Sequence, residues 1–412
     1  MVSYPSDWKT YSFNDMFKIY PNNTLSRDKL TERGSIGNIH YGDVLIKYGD
    51  VLSERDKVPM IKSEYEYVAK TFLQKNDVII ADTAEDATVG KVTQIGEISF
   101  PVVGGLHTIV CRPLISTANG YLGYYMNSKE YHNQLLPYIT GIKVSSISKS
   151  SIQKTEFHVP ATIDEQAAIV SVITAFDTHI ANLAELIEKK KAIRDGALED
   201  LVSGRTRLTG FTEEWIDMTI ADVTQDVISG GTPSTSHPEY WGGTIPWLAS
   251  TEIHQKMINR ETTHITEIGF ANSSAKIVPA ESVLVALAGQ GKTRGTAAFL
   301  LRPMALNQSL AALVNNEKIL PKFLFYLMES MYLLLREMSS GDGGRGGLNK
   351  TLLKRVSICI PIDVDEQKAI ADVLTAMDDE IKALEDERNK IIQIRKGAMD
   401  DLLTGRVRLE VS

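Results

Sequence analysis

The stretch of this 412-residue chain that comes nearest to a chemical motif is Ala286-Leu-Ala-Gly-Gln-Gly-Lys-Thr293. It follows an apolar run from Ser282 to Ala286 and ends in the Gly-Lys-Thr of a phosphate-binding loop. Such a loop needs glycine amides around the phosphates, a lysine on the terminal oxygens and a helix opening directly afterwards. Here the continuation, Arg294-Gly-Thr-Ala-Ala-Phe-Leu300, reads as a second strand, and the first position of the pattern is alanine. The sequence therefore predicts a polar, basic hairpin tip, better suited to a DNA phosphate or base edge than to a mononucleotide. Other reactive constellations are missing. The eight histidines are scattered, with no His-Glu-x-x-His, and His237-Pro-Glu239 is a lone His-x-Glu. Glu188-Lys-Lys190 resembles a fragment of a nuclease motif but has no strand aspartate near it, so it reads as a solvated helix face. No Asn-Pro-Pro-Phe or Asp-Pro-Pro-Tyr sequence and no glycine-rich cofactor turn is present. The expectation is a chain that is not an enzyme.

Two cysteines, Cys111 and Cys359, are too few for a disulfide scaffold or a four-cysteine zinc site. With a polar beginning and no uninterrupted apolar run near 18 residues, the chain is expected to be cytoplasmic and free of membrane contact. Its net charge of −8 taken whole argues against nucleic-acid binding. The segments say otherwise. Residues 1–160 carry 17 basic and 17 acidic side chains, and residues 209–361 carry 13 and 14. The acid excess sits in residues 161–208 (6 against 8) and 362–412 (8 against 13). A neutral domain can still present a basic face.

The organisation follows from an internal repeat at an offset of 201 residues. Asp164-Glu165-Gln166 recurs as Asp365-Glu366-Gln367, and Gly204-Arg-Thr-Arg-Leu208 as Gly405-Arg-Val-Arg-Leu409. Between these ends 22 of 45 positions are identical without a gap. Ile169, Ile173, Phe176, Ile180, Leu183 and Ile187 are spaced 4, 3, 4, 3, 4, and Ile370, Leu374, Met377, Ile381 and Leu384 repeat the pattern. That heptad seam needs a partner helix, so two long helices are expected to pair antiparallel and act as a spacer. Lys190 and Arg388 interrupt the seam, and Ile193, Ile391 and Ile394 are expected to take over if the stripe drifts. Gly204 and Gly405 read as C-terminal stops.

The longer segments are related more distantly. Asp77-Val-Ile-Ile-Ala81 parallels Ser282-Val-Leu-Val-Ala286, Gly90 then matches Gly295, and residues 120–128 parallel 322–330. Trp8 and Trp215 open the two halves. Short β-rich runs mixed with helical pieces near 121–136 and 321–338 predict an α+β domain in each. The expected order is a globular domain (1–160), a long helix (161–208), a second globular domain (209–361) and a second long helix (362–412).

With its Pro160-to-Gln166 and Pro361-to-Gln367 openings, duplicated long helices and Gly-Arg-x-Arg-Leu exits, the chain resembles the specificity subunit of a type I restriction–modification enzyme over essentially its whole length. The resemblance implies that each globular part is a target recognition domain reading one half of a split DNA sequence. It implies that the helices set the spacing and dock two modification (methyltransferase) subunits, with restriction (motor–nuclease) subunits joining for cleavage. S-adenosylmethionine, ATP and magnesium would then belong to those partners, and this chain would hold no cofactor or metal. The alternative left open is a coiled-coil scaffold whose globular ends bind proteins rather than DNA.

Loop position and side-chain chemistry, not a family motif, select the candidate DNA contacts. They are Thr83, Thr88, Lys91, Lys143, Ser145 and Lys149 in the first half, and Gln290, Lys292, Thr293, Arg294, Arg345 and Lys350 in the second. Ser339 to Lys350 is a glycine-rich loop. Ser229-Gly-Gly-Thr-Pro-Ser234 with Tyr240, Trp241 and Trp247 reads either as a turn over a core edge or as a binding rim, with the tryptophans expected to be structural.

Overall fold

Residues 3–141, 143–339 and 347–410 are described by a computed structural model of the chain. They form two compact units. One runs to Ala184 and resumes at Asp386; the other is Glu185–Glu385. The two long helices, Ile163–Val202 and Val364–Leu402, are each divided between the units. Every unit therefore holds one globular body, the beginning of one helix and the end of the other.

In the first unit the run Val78–Ala81 is buried at all four positions, as a strand covered on both faces must be. It lies centrally in a five-stranded sheet of order Phe17–Tyr20, Thr108–Pro113, Val78–Ala81, Val92–Ile95, Val51–Leu52. All neighbours are antiparallel except the last pair. Alternate side chains serve two cores. Val78 and Ile80 pack with Tyr121, Leu122 and Tyr125 of the helix Tyr121–Met126. Ile79 and Ala81 pack with Ile39 and Val102 of a second, four-stranded sheet. The second unit repeats this design with other residues. Its five-stranded order is Thr224–Ser229, Leu310–Asn315, Val283–Ala286, Ala297–Leu300, Met257–Ile258. Val283 and Val285 face the helix Pro321–Ser330, while Leu284 and Ala286 face a core with Leu248 and Leu306 of a four-stranded sheet. The strands and helices expected at 78–81, 108–111, 121–136, 282–286, 296–300 and 321–338 are all formed, within a residue or two at most ends.

Each family-like signature has a local mechanical role. In the first unit Gln166 accepts a hydrogen bond from the Ala118 amide (2.9 Å) and donates to the Pro160 carbonyl (3.1 Å), tying the start of the helix to its domain. Gln367 does the same in the second unit with the Leu320 amide (2.8 Å) and the carbonyls of Lys318 and Pro361. The second arginine of each exit binds the glutamate of the other helix's opening. Arg207 forks onto Glu366 (2.9 and 2.6 Å), whose side chain is wholly buried, and Arg408 reaches Glu165 and Asp7. Gly204 and Gly405 end the helices at φ of +68° and +71°, where only glycine is at ease. A Cβ on Gly405 would collide with the Pro5 ring at 2.5 Å, and one on Gly204 would press on Trp215 at 3.3 Å. The tryptophans that open the domains thus sit on the glycines that close the helices.

Ion pairs within each unit run antiparallel. In the second, Lys190, Arg194 and Arg207 meet Glu380, Asp378 and Glu366; in the first, Asp177 and Glu165 meet Arg395 and Arg408. The seam does not drift. Ile193 and Ile394, expected to take over only if it drifted, are 59% and 43% exposed, while Ile391 lies half-buried on the seam itself. The heptad register instead continues through Lys190, Arg194, Ala197 and Leu201, with charged groups filling its middle. Part of Ile163–Val202 is also apolar enough, by length and composition alone, to cross a bilayer. The expectation that nothing could do so counted only uninterrupted runs; Asp177 and His179 break this one, and Asp177 pairs with Arg395.

A matched clasp sits on each seam. Arg194 is 3% exposed and reaches Asp378 (2.8 Å) and Glu329, while Tyr326 donates to Asp378 (3.0 Å) and hydrogen-bonds Thr375 (3.1 Å). Arg395 likewise holds Asp177 and Asp50 (2.6 Å), with Tyr124 on Asp177 (2.9 Å) and Thr174 (3.2 Å). Burial works against the Arg194 charge, but Glu329 and Asp378 outweigh it and hold the guanidinium more firmly protonated than usual. Removing one member of such a buried pair strands the others. Arg194→Met is expected to cost about 3 kcal/mol of unfolding free energy, and Arg395→Met, whose partner Asp177 is more than a third exposed, less, both measured by urea titration. Lys368→Met, which breaks the exposed Lys368–Asp372 pair, should leave the midpoint where it is.

Candidate nucleic-acid interface

Two hairpins, one per unit, carry most of the candidate residues. Val78–Ala81 pairs antiparallel with Val92–Ile95, and Val283–Ala286 with Ala297–Leu300. No helix follows residues 286–293, so the loop is the hairpin tip that its continuation predicts and has no phosphate-loop geometry. The two tips close alike. The Gly90 amide donates to Ala81 and the Gly295 amide to Ala286, both at 2.9 Å, with φ near +89° and +83°. Lys91 N bonds the Thr88 carbonyl as Thr296 N bonds that of Thr293. Each tip rests on the helix behind it: a Cβ on Gly90 would strike Leu135 at 2.6 Å, and one on Gly295 would meet Tyr332, Leu335 and Arg336.

Side chains on this common frame differ sharply. The first tip is acidic, with Asp82, Glu85 and Asp86; the second carries Gln290, Lys292 and Arg294. In the first unit, Thr83–Ala84 pairs with Ser145–Ser146, which brings the segment around Lys143 and Lys149 against the hairpin. Thr83 donates to Asp82 (2.8 Å), and His107 approaches both residues at 3.3 Å while lying edge-on to Tyr41. Thr88, Lys143 and Lys149 are exposed. Lys91 is placed otherwise. Its ammonium is half-buried and donates to the carbonyls of Leu45 (2.9 Å) and Tyr48 (3.2 Å), and burial lowers its pKa with Asp50 opposing. It braces the hairpin rather than projecting from it.

In the second unit Gln290 and Lys292 are exposed at the tip. Thr293 is half-buried against His254 (3.1 Å), and Arg294 turns toward Ser339. Arg336 donates to the Gly291 carbonyl (2.6 Å) and Tyr332 to that of Lys292 (3.2 Å), so the helix Tyr332–Met338 holds the tip from beneath. Arg345 lies outside the described residues. Lys350 is the exposed first residue of a short helix capped by Asn349, as Lys149 is of one capped by Ser148, 201 residues earlier. Trp241 and Trp247 meet edge-to-face at 5.3 Å, and Trp247 donates to the Gly231 carbonyl, the structural role expected of the tryptophans.

Sequence reasoning missed a basic cleft of about 750 Å³ in the first unit. Arg27, Arg33, Lys47 and Lys57 line it, with Glu32 and Asp56. Arg27 and Lys47 are both oriented by the buried Asp43. Contacts between Arg27 and Asp43, 16 residues apart with two short strands between them, leave no periodic signal in the sequence. Among the described residues no group of acidic, histidine or cysteine side chains is arranged to hold a metal.

Comparison with known proteins places these features. The family profile described as "Type I restriction modification DNA specificity domain" matches residues 5–191 and again 212–393. A putative type I restriction enzyme MjaX specificity subunit of Methanocaldococcus jannaschii is 24% identical, over 98% of this chain and 95% of its own length. The EcoR124I/EcoR124II specificity subunit of Escherichia coli is 25% identical over 56% of each chain. Among solved structures, the S subunit of a type I system from M. genitalium superposes with a TM-score of 0.57 at 15% identity, covering 98% of this chain and 97% of that one. A chain from a study of complex assembly and conformational transition of the type I R-M system gives 0.63 at 15% identity, covering 99% and 100%. With two copies of the domain spanning most of its length, the chain belongs to the type I restriction–modification DNA specificity family, as a non-catalytic subunit that recognises a DNA target.

Proposed function

We propose that the chain reads a bipartite double-stranded site, one half per globular domain, and docks two methyltransferase subunits and the restriction subunits of a type I complex. One observation carries the bipartite reading: the two hairpins share a backbone design yet bear tips of opposite charge. A shared frame with unlike tips suits two half-sites of unlike sequence. An acidic tip matches the amino donors of cytosine, and a basic or amide tip matches guanine and adenine acceptors. Thr88, Lys143, Lys149, Gln290, Lys292 and Lys350 are exposed and supply the contacts, with Arg345 beside them in sequence terms. Thr83, Lys91, Ser145, Thr293 and Arg294 shape the loops that present them. S-adenosylmethionine, ATP and magnesium act on the partner subunits.

Exchanging residues 209–361 for those of another specificity subunit should alter one half of the methylated sequence and preserve the other, as read by sequencing methylated adenines. A change in both halves would refute the modular reading. Adding one helical turn to both long helices should lengthen the unread spacer alone. Salt titration tests the individual lysines in the assembled complex. Lys143→Ala and Lys292→Ala should each reduce the slope of log affinity against log salt by about 1 if they hold phosphates. Lys91→Met should instead lower the thermal midpoint and leave that slope unchanged.

A further inference from the structure

Among the described residues other than glycine, His107 is one of four with a positive φ, at +54°. Its counterpart in the second unit is Ser309: the Asp82 amide donates to the His107 carbonyl (3.1 Å) as the Leu287 amide donates to that of Ser309 (2.8 Å). Ser309 is not among the four. A left-handed backbone strains a residue that has a side chain, and such strain persists only where the surroundings impose it. What the strained position presents is an imidazole beside the first reading tip. Its Nδ1 lies 3.3 Å from both Asp82 Oδ1 and Thr83 Oγ1, and the Thr83 hydroxyl donates to the same carboxylate oxygen (2.8 Å). A carboxylate has no proton to give, and Thr83 has spent its own on Asp82, so Nδ1 carries the hydrogen. In the neutral ring Nε2 is then a bare acceptor. It has no partner among the described residues, and the side chain is half-exposed with Tyr41 edge-on to it at 5.3 Å. The second unit has Leu287 and Ser309 at these two positions, which cannot form such a pair.

We propose that His107 Nε2 is a base-reading group of the first domain, accepting from the exocyclic amine of an adenine or a cytosine in the major groove. Guanine and thymine offer acceptors at that edge. Those would face the Nε2 lone pair, with the Asp82 carboxylate behind the ring and Glu85 and Asp86 on the same tip, so the wrong base is repelled as well as unbonded. Asp82 and Thr83 are positioning residues: they set the tautomer, and the tautomer sets the base. The inference rests on the half-site reading proposed above and names the class of base that one position of the first half demands.

The test co-expresses the full chain with its methyltransferase subunit and sequences the methylated adenines. Glycine suits the positive φ, so His107→Gly should keep the thermal midpoint while removing the acceptor. One position of the first half-site should then accept all four bases, discrimination there falling on the order of tenfold, and the second half-site should not change. Every base pair carries one amine in the major groove, so the contacted strand is the one that bears it. Asp82→Asn keeps the ring but no longer fixes the tautomer, because an amide can donate to Nδ1 and leave the hydrogen on Nε2. On the contacted strand that same position should now admit guanine or thymine beside its native adenine or cytosine. A merely structural Asp82 would lower modification at all sites alike and leave the choice of base untouched. A His107→Gly complex that methylates the unaltered set of sites, or loses modification everywhere without relaxing one position, overturns the proposal. So does an Asp82→Asn complex that admits no new base or only exchanges adenine with cytosine. An unaltered complex whose methylated sites share no two-part sequence overturns the half-site reading itself.

Discussion

Everything else in the two units hangs on arginine–carboxylate pairs made between one long helix and the other. Arg207 on the wholly buried Glu366, Arg408 on Glu165, Arg194 on Asp378 and Arg395 on Asp177 are bonds between residues 159 to 243 positions apart. Apolar contact alone does not fix axial register, because a leucine seam tolerates a slip of one heptad. A forked guanidinium on a buried carboxylate tolerates none, since a slip leaves two charges desolvated and unpaired. The clasps go further. Tyr124 and Tyr326, from the globular bodies, donate to the same aspartates that the arginines hold, so one carboxylate fixes helix to helix and domain to helix together. Burial pushes both phenols up, which keeps them protonated and donating at any pH at which the chain folds.

The helices, the repeat and the hairpins were legible because each is written locally. Heptad spacing, the Val-Ile-Ile-Ala and Val-Leu-Val-Ala runs and the paired glycines need no knowledge of distant residues. The clasps were not recognised, although their signal was present: Asp177/Asp378, Thr174/Thr375 and Arg194/Arg395 are identical across the repeat. A charged residue on a seam reads as a weakness unless its partner is known, and the partner lies on another helix. The takeover by Ile193 and Ile394, expected only if the stripe drifted, does not occur, since ion pairs hold the stripe in register. Lys91 was misplaced by a related blindness. Nothing in its own loop reveals that Leu45 and Tyr48 offer carbonyls to it. Distance in sequence, not subtlety of chemistry, separates what could be read from what could not.

The same energetics explain why the two halves diverged where they did. Glu366 is wholly buried and Glu165 nearly so, so losing the arginine would leave a desolvated carboxylate unpaired; Glu165 with Arg408 and Glu366 with Arg207 have kept the same types. A tip residue such as Gln290 or Glu85 is exposed and holds nothing in place, and surface changes of that kind generally cost within about 0.5 kcal/mol. The turn beneath is different again, because Gly90 and Gly295 need positive φ and lie hard against a helix. Glycine persists there while the residues between it and the strand have changed in charge and size. A recognition protein built this way can alter what it reads by one exposed side chain at a time, on a frame whose own changes would have to come in pairs.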